Sequence, residues 1–231
     1  MVNKVLIVPD VHGRTFWEKP VEKELNNVDK IIFLGDYLDP YPREGISPEE
    51  SIEVFKKIID LKMPNPDKII LLIGNHDWHY ISNDVNPCSR YDRYNEREIK
   101  EIFNKNIDLF RIAWKCGKYL FSHAGIMKEW MEKYCGCQDI DDFLEHESKA
   151  YSSLWVAPRI RGGYEWFGSC VWNDVRDFTN DIPGTFQIFG HTQLKDAYFG
   201  PIPGAKEEFA DLDCRKCFIL DINEQELKEY N

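Results

Sequence analysis

The sequence has no long hydrophobic run and no surplus of positive charge, and these two absences exclude several classes of protein. None of its apolar stretches approaches the roughly 18 residues that a membrane-spanning helix needs. Acidic residues outnumber basic ones by 40 to 29, which gives a net charge of -11 at pH 7. Because nucleic-acid backbones and anionic membranes are bound by an excess of Lys and Arg, we expect neither extended nucleic-acid binding nor membrane binding. We expect a cytoplasmic protein.

The seven cysteines do not form the pattern of a disulfide framework or of a complete zinc site. Their number is odd and their spacing irregular, and Cys214 with Cys217 supplies only half of a four-ligand site. Reduced thiols of an intracellular protein are the simpler interpretation. Internal repeats and low-complexity segments are also absent. At 231 residues, 43% of them hydrophobic, the chain predicts a single domain over residues 1–231.

What the sequence does contain is a series of short apolar runs, many of them β-branched, that end at polar residues. They predict strands at residues 4–9, 30–34, 68–73, 118–121 and 185–189, and a hairpin that pairs 109–115 with 118–121. Amphipathic stretches predict helices at residues 47–62, 91–104, 129–134 and 139–150. Residues 223–231 are expected to form a terminal strand or a solvated tail.

Side chains suited to binding metals or transferring protons follow five of these strands, usually beside a glycine. They are Asp10, His12, Asp36, Asn75, His76, His123 and His191. In α/β sheets the functional site lies outside the carboxyl ends of the strands, so we expect these residues to converge. A single loop histidine is more often structural, but four of the six histidines stand in such loops. Imidazole combined with carboxylate and amide oxygens suits Mn, Fe, Zn, Co or Ni better than Ca or Mg.

Five motifs appear in a fixed order along the chain. They are Asp10-Val-His12-Gly13, Gly35-Asp36, Gly74-Asn75-His76-Asp77, Ser122-His123-Ala-Gly125 and Gly190-His191-Thr. Between residues 10 and 192 this set resembles the calcineurin-like metallophosphoesterases. The resemblance implies an α/β fold, a four-layer αββα sandwich of two mixed β-sheets flanked by helices. It also implies a dinuclear metal site at the edge of the sheets.

The resemblance also implies a role for each matching residue. Asp10 and His12 would bind a first divalent metal ion, Asp36 would bridge, and Asn75, His123 and His191 would bind a second. Manganese is the first expectation, with Fe, Zn, Co and Ni as alternatives. Hydrolysis would proceed by attack of a metal-bridging hydroxide on a phosphate ester. Many members have another histidine at the position of Gln193, so the first metal would have only three protein ligands.

The second motif resembles that of phosphoprotein phosphatases and bacterial diadenosine tetraphosphatases, which reads Gly-Asp-x-x-Asp-Arg-Gly. Its second aspartate is Asp39, which by similarity would orient His76 and favour the imidazolium that protonates the leaving oxygen. The arginine of that motif is absent, because Pro40 stands in its place. Ile73 occupies another position where that branch has arginine. Phosphate recognition is therefore expected to differ from that branch.

Four arginines are candidates for binding the substrate phosphate. Arg161 lies in a segment that resembles the stretch between the fourth and fifth motifs of those phosphatases, and Arg159 is the alternative. An arginine fork matches two phosphate oxygens, although a surface arginine in a glycine-rich turn is the plainer interpretation. Arg43 and Arg14, which lie near the second and first motifs, are two further candidates.

The main functional hypothesis is hydrolysis of phosphate monoesters, either on a phosphoprotein or on a small phosphorylated metabolite. The alternative is a phosphodiesterase or pyrophosphohydrolase acting on a nucleotide, because diester substrates carry less charge and need fewer cationic contacts. A scaffold with this fold but without catalysis would be expected to lack a ligand or the proton donor. All six ligands, His76 and Asp39 are present, which favours an enzyme.

Overall fold

The structure of the protein, a computed structural model, describes residues 2–82, 88–200 and 208–230. The strands are β1 (Lys4–Val8), β2 (Lys30–Phe33), β3 (Ile69–Leu72), β4 (Phe110–Arg111), β5 (Ala113–Cys116), β6 (Tyr119–Ser122), β7 (Phe186–Phe189), β8 (Tyr198–Gly200), β9 (Phe209–Asp211), β10 (Phe218–Asp221) and β11 (Glu226–Glu229). The α-helices are α1 (Glu18–Glu24), α2 (Pro48–Lys62), α3 (Asn75–Ile81), α4 (Glu96–Asn106), α5 (Lys128–Trp130) and α6 (Ile140–Glu145).

A first compact unit comprises residues 1–110 and 215–231. Its sheet has the strand order β11-β10-β1-β2-β3-β4, and the chain leaves the unit within β4. Strands β1, β2 and β3 are parallel, whereas β10 runs antiparallel to both β1 and β11. The four residues Val5–Val8 and the four of β3 are buried, as is typical of parallel strands covered on both faces. The parallel strands therefore bring their carboxyl ends to one edge of this sheet.

A second compact unit comprises residues 111–214. Its sheet has the order β5-β6-β7-β9-β8 and is also mixed. Strands β6, β7 and β9 are parallel, and β5 and β8 run antiparallel at the edges. Strands β5 and β6 form a hairpin that turns at Gly117 with a φ of +56°, as predicted. Its first strand begins only at Ala113, because Phe110–Arg111, which were predicted as part of it, form β4 in the other sheet. The predicted α/β class with two mixed sheets and helices is confirmed.

Helix α2 shows why some boundaries could be predicted closely. The Ser47 hydroxyl accepts a hydrogen bond from the Glu50 amide at 3.1 Å, and the Glu50 carboxylate accepts one from the Ser47 amide at 2.8 Å. Together with Pro48 in the first turn, this capping box starts the helix where the sequence predicts it.

Three predicted helices differ from the structure. The helix predicted at residues 91–104 begins only at Glu96, because the Asp92 carboxylate accepts hydrogen bonds from the amides of Tyr94 and Asn95 and holds a turn there. The stretch at 129–134 is helix α5 followed by a π-helical turn. The stretch at 139–150 changes from α6 to a 3₁₀ helix after Glu145.

Within the described ranges, no helix is both long and apolar enough to cross a membrane. None of the seven cysteines, all of which lie within the described ranges, forms a disulfide bond.

Candidate functional site

Three predicted metal ligands of the first unit form a buried cluster. One ligand atom each of Asp10, His12 and Asp36 lies within 4.8 Å of the other two. The Nδ1 atom of His12 is 2.7 Å from the Leu38 carbonyl oxygen, to which it donates, so Nε2 keeps its lone pair and lies 3.5 Å from Asp36 Oδ2. Burial lowers the pKa of His12 well below its usual value, which keeps the ring neutral. Two carboxylates and a neutral imidazole fit a divalent cation.

The backbone is strained at four of the predicted site residues. Few residues other than glycine have a positive φ, yet several predicted site residues do. They are His12 at +45°, Asp36 at +52°, Asp39 at +59° and His191 at +73°. Such conformations persist where the surroundings hold them in place, and they are frequent at functional sites.

The loop that carries Asp36 is held by the start of helix α3. The Asp77 carboxylate accepts hydrogen bonds from the backbone amides of Asp36 at 2.7 Å, Tyr37 at 3.0 Å and Gly74 at 2.8 Å. In turn, the His76 amide donates to Asp36 Oδ1 at 2.8 Å. Asn75, the predicted ligand between Gly74 and His76, is buried at the first position of the helix. These contacts connect the second and third motifs.

Substitution of Gly74 tests how closely the residue before helix α3 packs against Asp36. A Cβ atom there would lie 2.1 Å from Asp36 Oδ1 and 2.6 Å from the Asp36 amide nitrogen. Gly74→Ala is expected to lower the free energy of unfolding by about 2 to 3 kcal/mol and to weaken the binding of a divalent cation at the cluster that includes Asp36. Gly117→Ala is the control, since its Cβ would meet nothing within 4 Å and would cost only about 1 kcal/mol for the positive φ. Urea unfolding that gives equal losses for the two variants would contradict the prediction.

The predicted pair of His76 and Asp39 is part of a larger hydrogen-bonded group. Asp39 Oδ2 lies 2.7 Å from His76 Nδ1 and 2.8 Å from His79 Nε2, and Asp39 Oδ1 accepts a bond from the Tyr80 hydroxyl at 2.6 Å. Burial favours the neutral carboxyl, but hydrogen bonds from both histidines outweigh it and lower the pKa of Asp39. The sequence analysis missed His79 and Tyr80. Their spacing from His76 would have indicated them only if helix α3 had been recognised.

Burial and Asp39 act on the His76 ring in opposite directions. The hydrogen bond and charge of Asp39 raise the pKa of His76, but burial outweighs them and, with the charge of Arg90, lowers it to about 4. The ring is therefore neutral at pH 7 in the free chain, although Asp39 favours the imidazolium. It lies beside the candidate metal cluster, with its centroid 5.1 Å from that of His12.

Arg90 is a third residue near His76 that was not among the predicted site residues. Its Nη2 atom lies 3.1 Å from His76 Nε2, and its guanidinium carbon lies 3.9 Å from the centre of the Tyr41 ring. No motif or periodicity around residue 90 indicates this position.

Two predicted phosphate-binding arginines also lie near the Tyr41 ring, at 5.4 Å for Arg14 and 5.5 Å for Arg43. Arg14 is buried and forms a forked pair with Glu44, with distances of 2.8 Å and 3.2 Å. Its charge is thus compensated within the protein. Arg43 is exposed on a short 3₁₀ helix (Pro42–Glu44).

The second unit brings its two predicted metal ligands together. His123 follows β6 and His191 follows β7, two parallel neighbouring strands, and His123 Nε2 lies 3.1 Å from His191 Nδ1. Both rings are buried. Two adjacent imidazole nitrogens are a donor pair that suits a first-row divalent metal.

Of the two arginines predicted in this unit, Arg161 lies nearer to these histidines. Its Nε donates to Asp174 at 2.7 Å and its Nη2 to the hydroxyl of Thr192, the residue after His191, at 3.1 Å. Arg159 is exposed, and its Nε donates to the carbonyl oxygen of Tyr164 at 3.0 Å. The geometry therefore favours Arg161 over Arg159 as the candidate.

Asp174 anchors Arg161, and the contribution of the Asp174 carboxylate to the free energy of unfolding is expected to depend on pH. Burial alone would raise its pKa, but hydrogen bonds from Arg176 and the charge of Arg161 lower it to about 2. Asp174→Asn is expected to lower the free energy of unfolding by about 1 to 3 kcal/mol at pH 7. The difference should be complete above about pH 4, where the unfolded carboxyl is ionised, and should vanish as the pH falls towards 2. Urea unfolding of both proteins across this range measures it, and a pH-independent difference would contradict it.

Comparison with known proteins gives one family match and several structural relatives. Residues 3–194 match the family described as calcineurin-like phosphoesterase. The fold is similar to that of a cold-active protein-tyrosine phosphatase from a Shewanella species, with a TM-score of 0.61 and 14% identity over 100% of this chain and 81% of that one. It is also similar to a protein serine/threonine phosphatase from Saccharomyces cerevisiae, with a TM-score of 0.60 and 14% identity over 99% and 79% of the two chains.

Proposed function

We propose, since the chain belongs to the calcineurin-like phosphoesterase family, that it hydrolyses phosphate monoesters of a phosphoprotein or a small phosphorylated metabolite. As a member of this family it is a metal-dependent phosphoesterase. The observation that carries the proposal is the buried cluster of Asp10, His12 and Asp36, beside which the His76 ring lies. The cluster offers a cation site, and the ring offers a group for proton transfer.

We further propose that the enzyme uses two divalent ions, with manganese first among the candidates. The proposed ligands are Asp10, His12, Asp36, Asn75, His123 and His191, with Asp36 bridging. When bound, such ions supply positive charge to the phosphate oxygens and lower the pKa of the attacking water. The motifs and the donor chemistry support this assignment, including the neutral His12 ring and the adjacent nitrogens of His123 and His191.

The protein's own residues would perform the remaining tasks. His76 would give a proton to the leaving oxygen from Nε2, while Asp39 holds Nδ1 and so fixes the orientation of the ring. A phosphate dianion beside Nε2 would favour the protonated ring, which is neutral in the free chain. Arg161, held by Asp174, would bind a phosphate oxygen.

The cationic groups near the candidate site support a phosphorylated substrate. A phosphorylated protein, nucleotide or metabolite is expected to be the partner. Hydrolysis of a phosphodiester or pyrophosphate is the second candidate. Arg14 is already paired with Glu44 and Pro40 stands in place of a motif arginine, so fewer cations are available to bind the substrate. A diester carries less charge than a monoester and needs fewer of them. A cytoplasmic location and a single-domain organisation are also proposed.

A substrate screen on the metal-reconstituted protein tests the proposal. The protein is stripped with a chelator, refilled with manganese, and assayed on phosphopeptides, nucleoside monophosphates, dinucleoside polyphosphates and cyclic nucleotides. The names of the two structural relatives are the reason to place phosphopeptides first. The highest kcat/KM is expected on a monoester. A higher value on a cyclic nucleotide or a dinucleoside polyphosphate would overturn the monoester assignment, and no hydrolysis at all would overturn the enzymatic one.

A further inference from the structure

Arg90 lies beside His76 in a way that the proposed roles do not explain. Asp39 holds Nδ1 of the His76 ring, and Arg90 Nη2 lies 3.1 Å from the other nitrogen, Nε2. A guanidinium can only donate hydrogen bonds, so Nε2 is the acceptor in this contact. Nε2 is also the atom from which the proposed general acid would deliver its proton. Arg90 therefore contacts the atom at which the substrate's leaving oxygen would lie.

The guanidinium of Arg90 is held in place before any substrate binds. Its Nε donates to the Asp39 carbonyl oxygen at 2.9 Å, and its plane lies over the Tyr41 ring. These contacts leave Nη2 directed at His76. Because the side chain is already ordered, little conformational entropy would be lost when it binds a ligand.

Charge distinguishes Arg90 from two of the predicted phosphate-binding arginines. Arg14 is paired with Glu44 and Arg161 with Asp174. Arg90 makes no ion pair with any carboxylate in the described part of the chain. The carboxylate of nearby Asp39 is occupied by His76, His79 and Tyr80, so Arg90 contacts only its carbonyl oxygen. A half-buried guanidinium without such a partner is suited to bind an anion.

The backbone of Arg90 supports the same assignment. Its φ is +67°, which is unfavourable for an arginine. His12, Asp36 and Asp39 have the same kind of strained conformation. Strain of this kind is retained where a side chain must be placed accurately, and here it places the guanidinium beside His76.

We propose that Arg90 binds a phosphate oxygen of the substrate beside His76, an inference that rests on the proposed function. In the free chain Arg90 donates to His76 Nε2. In the complex a phosphate oxygen replaces Nε2 as the acceptor of the Nη2 hydrogen, and Nε2 is then free to face the leaving oxygen. Arg90 Nε donates to the Asp39 carbonyl oxygen, so the guanidinium charge lies next to Pro40. Pro40 is the position at which the similar phosphatase motif has arginine.

The test is equilibrium binding of inorganic phosphate to the manganese-loaded protein, measured by calorimetry. Arg90→Ala is expected to weaken phosphate binding by about ten- to a hundredfold, because a charge-assisted hydrogen bond is lost, and to leave the manganese content unchanged. The kcat/KM on p-nitrophenyl phosphate should fall by a similar factor. Added guanidinium ions should restore part of it, which a purely structural role would not allow.

Arg97→Ala is the matched control, because Arg97 is an exposed arginine on α4. It should bind phosphate as the unmodified protein does. Unchanged phosphate affinity in Arg90→Ala would overturn the proposal. If that variant does not fold or hold manganese, Arg90→Lys decides, since lysine keeps the charge but lacks the planar guanidinium whose Nε is held by the Asp39 carbonyl. Weakening by about fivefold or more supports the proposal, and unchanged affinity overturns it. The proposed function is tested separately from the role of Arg90, and it fails if the unmodified protein hydrolyses no phosphate ester.

Discussion

Asp36→Asn is expected to remove at least one metal ion from the protein and to lower kcat/KM on p-nitrophenyl phosphate by roughly 10³-fold or more. Asp36 is buried, with Oδ2 3.5 Å from His12 Nε2 and Oδ1 bound to the His76 amide. Asparagine has nearly the same shape, so packing should be retained. In the proposed two-metal site, the substitution would remove the negative charge that compensates the repulsion between the two cations.

Elemental analysis of the purified variant measures the first effect, and steady-state kinetics measures the second. Asp60→Asn is the control, since Asp60 is an exposed aspartate on helix α2. It should retain the metal content and activity of the unmodified protein. Two metal ions per chain in Asp36→Asn, with activity retained, would show that Asp36 is not a ligand.

His76→Asn is expected to retain the metal ions and to lose activity to a degree that depends on the leaving group. An alkoxide leaves poorly without a proton, whereas p-nitrophenolate is stable enough to leave largely unaided. Activity on phosphoserine peptides should therefore fall by roughly 10² to 10⁴-fold, the range for general acid catalysis, and activity on p-nitrophenyl phosphate should fall much less. Comparing kcat/KM across a series of leaving groups measures the difference.

His146→Asn is the control for this prediction, because His146 is a half-exposed histidine that contacts Asp142. It should show no dependence on the leaving group. An equal loss of activity on all substrates in His76→Asn would mean that His76 positions the phosphate or supports the metal ligands and does not donate the proton.

Asp39→Asn should show the same dependence on the leaving group, but more mildly, since the His76 ring remains. Its carboxylate also binds His79 and Tyr80 in the structure, so a lower melting temperature is expected as well. Measuring both the leaving-group dependence and the melting temperature of Asp39→Asn separates its effect on the orientation of His76 from its effect on stability.

Much of the candidate site could be predicted because its residues follow strands that are easily recognised. Val5–Val8 and Ile69–Leu72 are continuous apolar runs, and the polar residues that end them are expected at the carboxyl edge of a parallel sheet. Helix α3 was not predicted, because Asn75–Ile81 has polar, charged and aromatic residues on all sides and little helical periodicity. Its start depends on Asp77, whose carboxylate binds amides on two different loops.

The arginines show most directly what depends on tertiary structure. Arg14, Arg43, Arg159 and Arg161 could be named from their distance along the chain to a motif, but that distance does not show which carboxylate lies opposite. Glu44 compensates Arg14, and Asp174 orients Arg161. Both partners are distant in sequence, and no local pattern records these pairings.

The sequence by itself indicated the strands that carry the site and the candidate ligands that follow them. Both depend on short-range patterns, in which an apolar run ends beside a glycine and a polar side chain. The pairing of His76 with Asp39, which are 37 residues apart, was implied only by the resemblance of the second motif to that of the phosphatases. Only the tertiary structure decided that His76 is buried as a neutral ring, that His79 shares Asp39, and that Arg90 lies against His76. Desolvation and hydrogen bonds between distant segments produce these features, and both arise only when the chain is folded.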